Sequence, residues 1–249
     1  DSLTCGEASE MFGVWMAMNG DKYQQIEIIQ RKVLEWTNLV RVGTCTQEVI
    51  WHTFQITITK QIEYILLSHT FTEKECTKIF APAIKLACRK SGYSSTLRRI
   101  FRQTSSAYFG AGAMNIFQQS GVLKISALVM HSWKESPTQS LLKHNIELFV
   151  LEAGLFGPVW HLPTLKKALT WCSPHSWLYH TAVFLVKNDI QICPKHFELK
   201  AKRRGDKAIM DVIHRLHFTS NELRKINEVR MLHGVVTLSD LTTADGRRL

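Results

Sequence analysis

The chain has 249 residues, 45% of them hydrophobic and 21% charged, enough to bury a core in one or two domains and too apolar for wholesale disorder. Its 31 Lys+Arg exceed 21 Asp+Glu, a formal net charge of +10, which favours anionic partners such as nucleic acid or an acidic surface without choosing between them. No basic n-region with an apolar h-region opens the sequence, and no apolar run nears the roughly 18 residues of a spanning helix. The expectation is an intracellular protein, nuclear or cytoplasmic, with no membrane partner. Six cysteines without a C-x-x-C pair read as reduced thiols.

"MFGVWMAMNG" (11–20) predicts a strand running into a turn. In the next segment Ile26, Ile29, Val33, Trp36 and Val40 recur at three- and four-residue steps, which predicts an amphipathic helix capped by Gly43. Residues 44–67 predict a second helix despite their β-branched content. Thr72 stands three residues before Glu75, a capping box that opens a third helix. Arg89 and Lys90 suit that helix's C-terminal dipole, Gly92 closes it, and Pro82 inside it predicts a kink.

From 95 to 121 two helical segments flank the small-residue stretch "FGAGAMN", with Gly110 and Gly112 permitting close backbone approach. Ser136, Pro137 and Gln139 start a helix that Gly154 stops. Helical sequence with breaks at Pro163 and Pro174 comes next, then a basic loop or short strand near 190–207. Thr219 and Glu222 make a second capping box. The fold class is therefore mainly α, with a small β contribution at the N-terminus and a further short strand near 190.

Metal chemistry has one candidate. "CSPH" (172–175) and "CPKH" (193–196) offer Cys and His, the ligands of tetrahedral zinc. The aromatic context of the first pair favours an ordinary core helix, so the metal assignment is none. No nucleophile elbow, phosphate loop or carboxylate cluster is present, so the catalytic assignment is also none. Basic clusters remain. Arg102 stands at i+4 from Arg98 and i+3 from Arg99, on one helical side, with Phe101 and Tyr108 nearby. Lys200, Lys202, Arg203 and Arg204 form a second cluster. Lys and Arg neutralise phosphates without reading sequence, so both clusters are nucleic-acid-binding candidates.

"LRKINEVRMLHGVV" followed by "TLSDLTTADG" (237–246) resembles the tail of retroelement reverse transcriptase polyproteins, through Leu223, Arg224, Ile226, Asn227, Arg230, Thr237, Leu238, Ser239, Asp240, Thr243, Ala244, Asp245 and Gly246. "FGVWMAMNGDKYQQI" resembles the strand-turn-helix after the polymerase carboxylate hairpin. "LRRIFRQTSSAYFGAGAMNIFQQSG" is similar to a third family segment through Arg99, Gly110, Gly112 and Gly121. Val229 stands where the pattern has cysteine, and Ala111 and Ala113 stand where it has larger apolar residues.

The resemblance implies an RNA-directed DNA polymerase whose catalytic Tyr-x-Asp-Asp hairpin and divalent metal, such as Mg, lie upstream of Asp1; this chain contains no such tetrapeptide. It further implies the end of the palm at 1–43, a thumb-like helical bundle at 44–93 and a helical C-terminal extension at 94–249, with a small β remnant at the N-terminus. Expected partners are DNA or RNA, as a primer–template duplex, and the remainder of the polymerase. Arg224 and Arg230 join the phosphate-contact candidates on this basis. The alternative expectation is a helical protein–protein interaction module or decayed retroelement relic, anchored by some of the seven tryptophans and able to self-associate through exposed apolar surface.

Overall fold

The computed structural model describes residues 7–11, 14–17, 19–94, 96–192 and 198–243. It is mainly helical, with one two-stranded antiparallel sheet at the N-terminus. The chain divides into two compact units, 1–123 and 124–249.

In the first unit, β1 (Ala8–Met11) pairs with β2 (Val14–Ala17), Ala8 opposite Ala17 and Met11 opposite Val14. The sequence predicted only the second strand, because Ala-Ser-Glu carries no apolar alternation. The Trp15 N–H donates to Gln25 Oε1 at 2.7 Å and His69 Nε2 donates to the Trp15 carbonyl at 2.9 Å, which tie the hairpin to the helices behind it. α1 (Tyr23–Val42) buries Ile29, Val33, Trp36 and Val40, as its periodicity predicts. Gly43 ends it in an extended conformation (φ −67°, ψ 146°) rather than the left-handed cap expected.

Residues 47–68 form one helical run with an irregular centre. α2 (Gln47–Thr53) passes into a π-helical stretch, Phe54–Thr59, and then α3 (Lys60–Ser68). Ile56-Thr57-Ile58-Thr59 are β-branched and crowd a regular α-helical turn; a π turn widens it and shifts the phase of α3. The shift faces Phe54, Ile58, Ile62, Ile65 and Leu66 inward. α4 (Glu73–Lys90) carries the Thr72–Glu75 capping box and continues through Pro82 without a break. Gly92, at φ +79°, lets the Tyr93 N–H reach back to the Cys88 carbonyl at 2.8 Å. Val33 and Trp36 of α1 share one core with Ile79, Phe80 and Ala83 of α4. The segment assigned to a palm and the helices assigned to a thumb therefore share one core within one compact unit.

α5 (Arg99–Gln103) is short, and a tight loop leads into α6 (Ile116–Trp133), within which the chain passes from one unit to the other. Early in α6, Ser120 Oγ donates to the Leu66 carbonyl at 3.0 Å.

The second unit holds α7 (Pro137–Ala153), α8 (Leu162–Ala168), α9 (Trp177–Lys187), α10 (Ile209–Ile213) and α11 (Ser220–Leu232). α7 has the predicted Ser136 cap and a left-handed Gly154 stop, and α11 has the predicted Thr219–Glu222 box. Pro163 sits in the first turn of α8 instead of breaking a helix, where its missing N–H costs nothing. The core gathers Phe149, Trp160, Trp171, Leu185, Met210 and Leu223. Among the described residues, no strand forms near 190; isolated bridges pair Phe156 with Leu199 and Ala208 with Thr237. No helix among them is long and apolar enough to cross a membrane.

Candidate nucleic-acid interface

The sequence-predicted basic residues fall in both units, and each unit treats its share differently. In the first, Arg98 is the exposed N-cap of α5. Arg99 pairs with Glu73 at 2.7 Å, and its Nε donates to Gln103 at 3.3 Å. Arg102 is half-buried and lines a cleft of about 300 Å³ together with Phe80, Lys85, Arg99 and Asn115; its Nε is buried without a hydrogen-bond partner. Burial pushes the nearby Cys88 thiol up, against the opposing pull of the Arg102 charge. The three arginines are thus not equivalent members of one helical side. One is open, one is paired with an acid and one faces a cleft.

The loop beyond α5 is held by α5 itself. The N–H groups of Ala111, Gly112 and Ala113 donate to the carbonyls of Phe101, Thr104 and Arg102 at 2.9, 2.8 and 2.7 Å. These bonds satisfy acceptors that a helix C-terminus would otherwise leave open. A Cβ on Gly110 would lie 2.0 Å from the Thr104 carbonyl oxygen, so only glycine fits. Ala111 and Ala113 are buried in the same contact, which explains small residues at positions where the resemblance has larger ones.

Sequence reasoning missed the basic surface of α4. Lys74, Lys78, Lys85 and Arg89 are all exposed and succeed one another by four, seven and four residues. At 3.6 residues per turn they fall within about 60° of the helix circumference and span roughly 22 Å. Lys85 also lines the Arg102 cleft, so the ridge and the α5 arginines belong to one surface of this unit. A signal was present in the sequence. Residues 76–134 contain nine Lys+Arg and no Asp or Glu, which leaves 22 Lys+Arg against 21 Asp+Glu in the rest of the chain. Nearly the whole excess charge sits in this stretch, and seven of the nine cations lie in the first unit.

In the second unit half of the six candidates have structural work. Arg230 is 5% exposed. Its Nε donates to Asn227 Oδ1 at 2.9 Å, Nη1 to the Val235 carbonyl at 3.2 Å, and Nη2 to the Leu151 and Glu152 carbonyls at 2.6 and 2.9 Å. The phosphate role expected for Arg230 does not fit: the cation closes the C-terminal end of α7. Lys202 is ion-paired with Asp240, and Arg203 Nη1 donates to the Thr243 carbonyl at 2.9 Å. Arg224 is half-buried, with Nε buried and without a partner. Lys200 and Arg204 are exposed.

The acids that organise this region are strongly engaged. Burial opposes the charge on Asp240, yet the Lys202 bond and the N–H groups of Thr237 and Val236 hold its carboxyl far below the usual range. Asp206 accepts from the N–H groups of Lys207 and Ser239 at 2.9 and 3.1 Å. The "Thr-Leu-Ser-Asp" stretch is therefore a capped turn, and Asn227 and Arg230 are a clamp. Ala244, Asp245 and Gly246 lie outside the described residues.

For zinc, Cys172 is fully buried in the second core, and burial raises its thiol well above the ordinary value. Cys193 and His196 lie outside the described residues. Among the described residues no group of three or more His, Cys, Asp or Glu could hold a metal ion. Comparison of the chain with protein-family models, with curated proteins and with solved structures gives no match.

Proposed function

We propose that this chain is a non-catalytic, nucleic-acid-gripping part of a retroelement-type reverse transcriptase, and that it grips through the cationic surface of its first unit. The observation that carries the reading is the stretch from 76 to 134, nine cations with no acid, whose α4 members Lys78, Lys85 and Arg89 share one exposed face with Lys74. A cationic ridge can follow a phosphate backbone and gains from counterion release. The three sequence islands supply the polymerase context, with a primer–template duplex as the partner.

The test is fluorescence anisotropy with a labelled duplex across a salt series, comparing the wild type with Lys78→Glu/Lys85→Glu/Arg89→Glu. The expected slope of log affinity against log salt falls by about one per phosphate contact removed. Salt-independent binding, or a triple variant that binds as the wild type does, would overturn the reading. Nucleotide incorporation by the purified chain would overturn its non-catalytic part. The protein-interaction reading has its own support in Leu39 and Val42, 74% and 85% exposed at the end of α1. Unchanged duplex binding in the charge-reversal variant, together with self-association, selects it.

A further inference from the structure

The segment joining α5 to α6 presents aromatic side chains to solvent in a way that simple phosphate gripping does not use. Phe109 is 99% exposed and Tyr108 78%, and Ile100 and Phe101 on α5 are 69% and 55% exposed. Phe109 also holds a left-handed backbone, φ +60°, which bulky L-residues rarely adopt and which is strained. The Tyr108 N–H donates to the Ser105 carbonyl at 2.9 Å and the Gly110 N–H to the same oxygen at 3.1 Å. With the three bonds from Ala111, Gly112 and Ala113 to α5, the backbone on both sides of Phe109 is fixed. The fold therefore keeps a strained aromatic residue outward, where it buries nothing within its own unit. Arg98 is exposed at the other end of α5, and the surrounding sequence from 76 to 134 is free of acid.

Flat aromatic faces beside cations, with the neighbouring Glu73 carboxylate taken up by Arg99, fit a strand whose bases are unpaired. Such bases stack on aromatic rings whatever their identity, while the arginines and lysines follow the backbone. A paired duplex hides its base faces and would leave Tyr108 and Phe109 unused. We infer that Arg98, Phe101, Tyr108 and Phe109 form a stacking platform for single-stranded nucleic acid beside the α4 ridge. The platform rests on the phosphate-grip reading and adds the state of the bases to it.

The experiment compares two labelled oligonucleotides of equal length on the full chain: an oligo-dT single strand, and an abasic strand with the same phosphates and no bases. The expected result is that oligo-dT binds at least about tenfold more tightly than the abasic strand. Phe109→Gly and Tyr108→Ala should each lower oligo-dT affinity by roughly fivefold or more while leaving abasic binding unchanged. Phe109→Gly also removes the backbone strain, so its melting temperature should equal or exceed that of the wild type, which separates lost stacking from lost folding. Equal affinity for the two strands, both salt-dependent, would overturn the platform and leave the phosphate grip standing. No binding of either strand, with the duplex still bound, would overturn the platform alone; loss of duplex binding as well would overturn both. If sedimentation instead shows a dimer that Phe109→Gly dissociates, the turn is a self-contact and the platform is overturned.

Discussion

Arg230 Nη2 donates to the carbonyl of Leu151 at 2.6 Å, joining α11 to the last turn of α7 across 79 positions of sequence. The same nitrogen reaches the Glu152 carbonyl, and Asn227 Nδ2 reaches it too, at 3.1 Å. Helix C-termini expose carbonyls with partial negative charge, and a buried guanidinium with several fitted donors answers that need. Arg230→Met should therefore destabilise the protein by about 3 kcal/mol, since buried carbonyls lose charge-assisted partners. Urea unfolding measures this. Affinity of the folded fraction for a duplex should be unchanged, because Arg230 does not reach solvent.

Gly154 and Gly205 separate two ways in which a glycine can be required. Both have positive φ, +59° and +78°. A Cβ on Gly154 would stand 2.9 Å from Arg230 Cζ, while one on Gly205 would meet nothing within 4 Å. Gly205→Ala should cost about 1 kcal/mol from backbone strain alone. Gly154→Ala should cost more than that, because it also displaces the clamp. Gly110→Ala should be the worst of the three, by several kcal/mol, since the Thr104 carbonyl cannot yield without unravelling the α5 loop. Thermal unfolding of the three variants gives the order.

The capping boxes at Thr72–Glu75 and Thr219–Glu222 were legible in the sequence because each is complete within four residues. So was the buried stripe of α1, because its period is local. Arg230 was not, since its role depends on carbonyls almost eighty residues upstream. The ion pair of Lys202 was hidden for a similar reason: Asp240, its partner, lies 38 residues further on. The π stretch at 54–59 carried a propensity warning in its β-branched run, but propensity does not specify a widened turn. The α4 ridge was legible and passed over. Dense local clusters stand out at 98–102 and 200–207, whereas Lys74, Lys78, Lys85 and Arg89 are spread along a helix and meet only on its surface.

Charge reversal at two sites should give opposite outcomes, although both substitutions replace a lysine. Lys78→Glu acts on an exposed residue of the α4 ridge, so it should weaken duplex binding and lower the salt slope by about one, with stability changed by no more than about 0.5 kcal/mol. Lys202→Glu places a carboxylate against Asp240 and should instead destabilise the C-terminal turn. Anisotropy and thermal unfolding on both variants separate a surface that binds from a surface that folds.

The pH response should have two limbs with opposite signs. Asp240 is held below its ordinary pKa in the folded state, so the stability it contributes is present above the unfolded carboxylate pKa of about 4 and is lost as acid protonates the folded group. Asp240→Asn should flatten the acid limb of a stability–pH curve. Glu152 behaves the other way. Burial raises it, against the pull of the Ser173 N–H and the Arg230 charge. A raised carboxyl favours folding while protonated, so its contribution is full below the unfolded pKa and disappears as pH rises through the folded value. Glu152→Gln keeps an acceptor for the Ser173 N–H and removes the buried charge, so the variant should gain stability relative to the wild type as pH rises towards neutrality. Urea midpoints taken from pH 3 to 8 on both variants check the pair of signs. A Glu152→Gln curve parallel to the wild type would show that the Ser173 N–H and the Arg230 charge fully offset burial at this carboxyl.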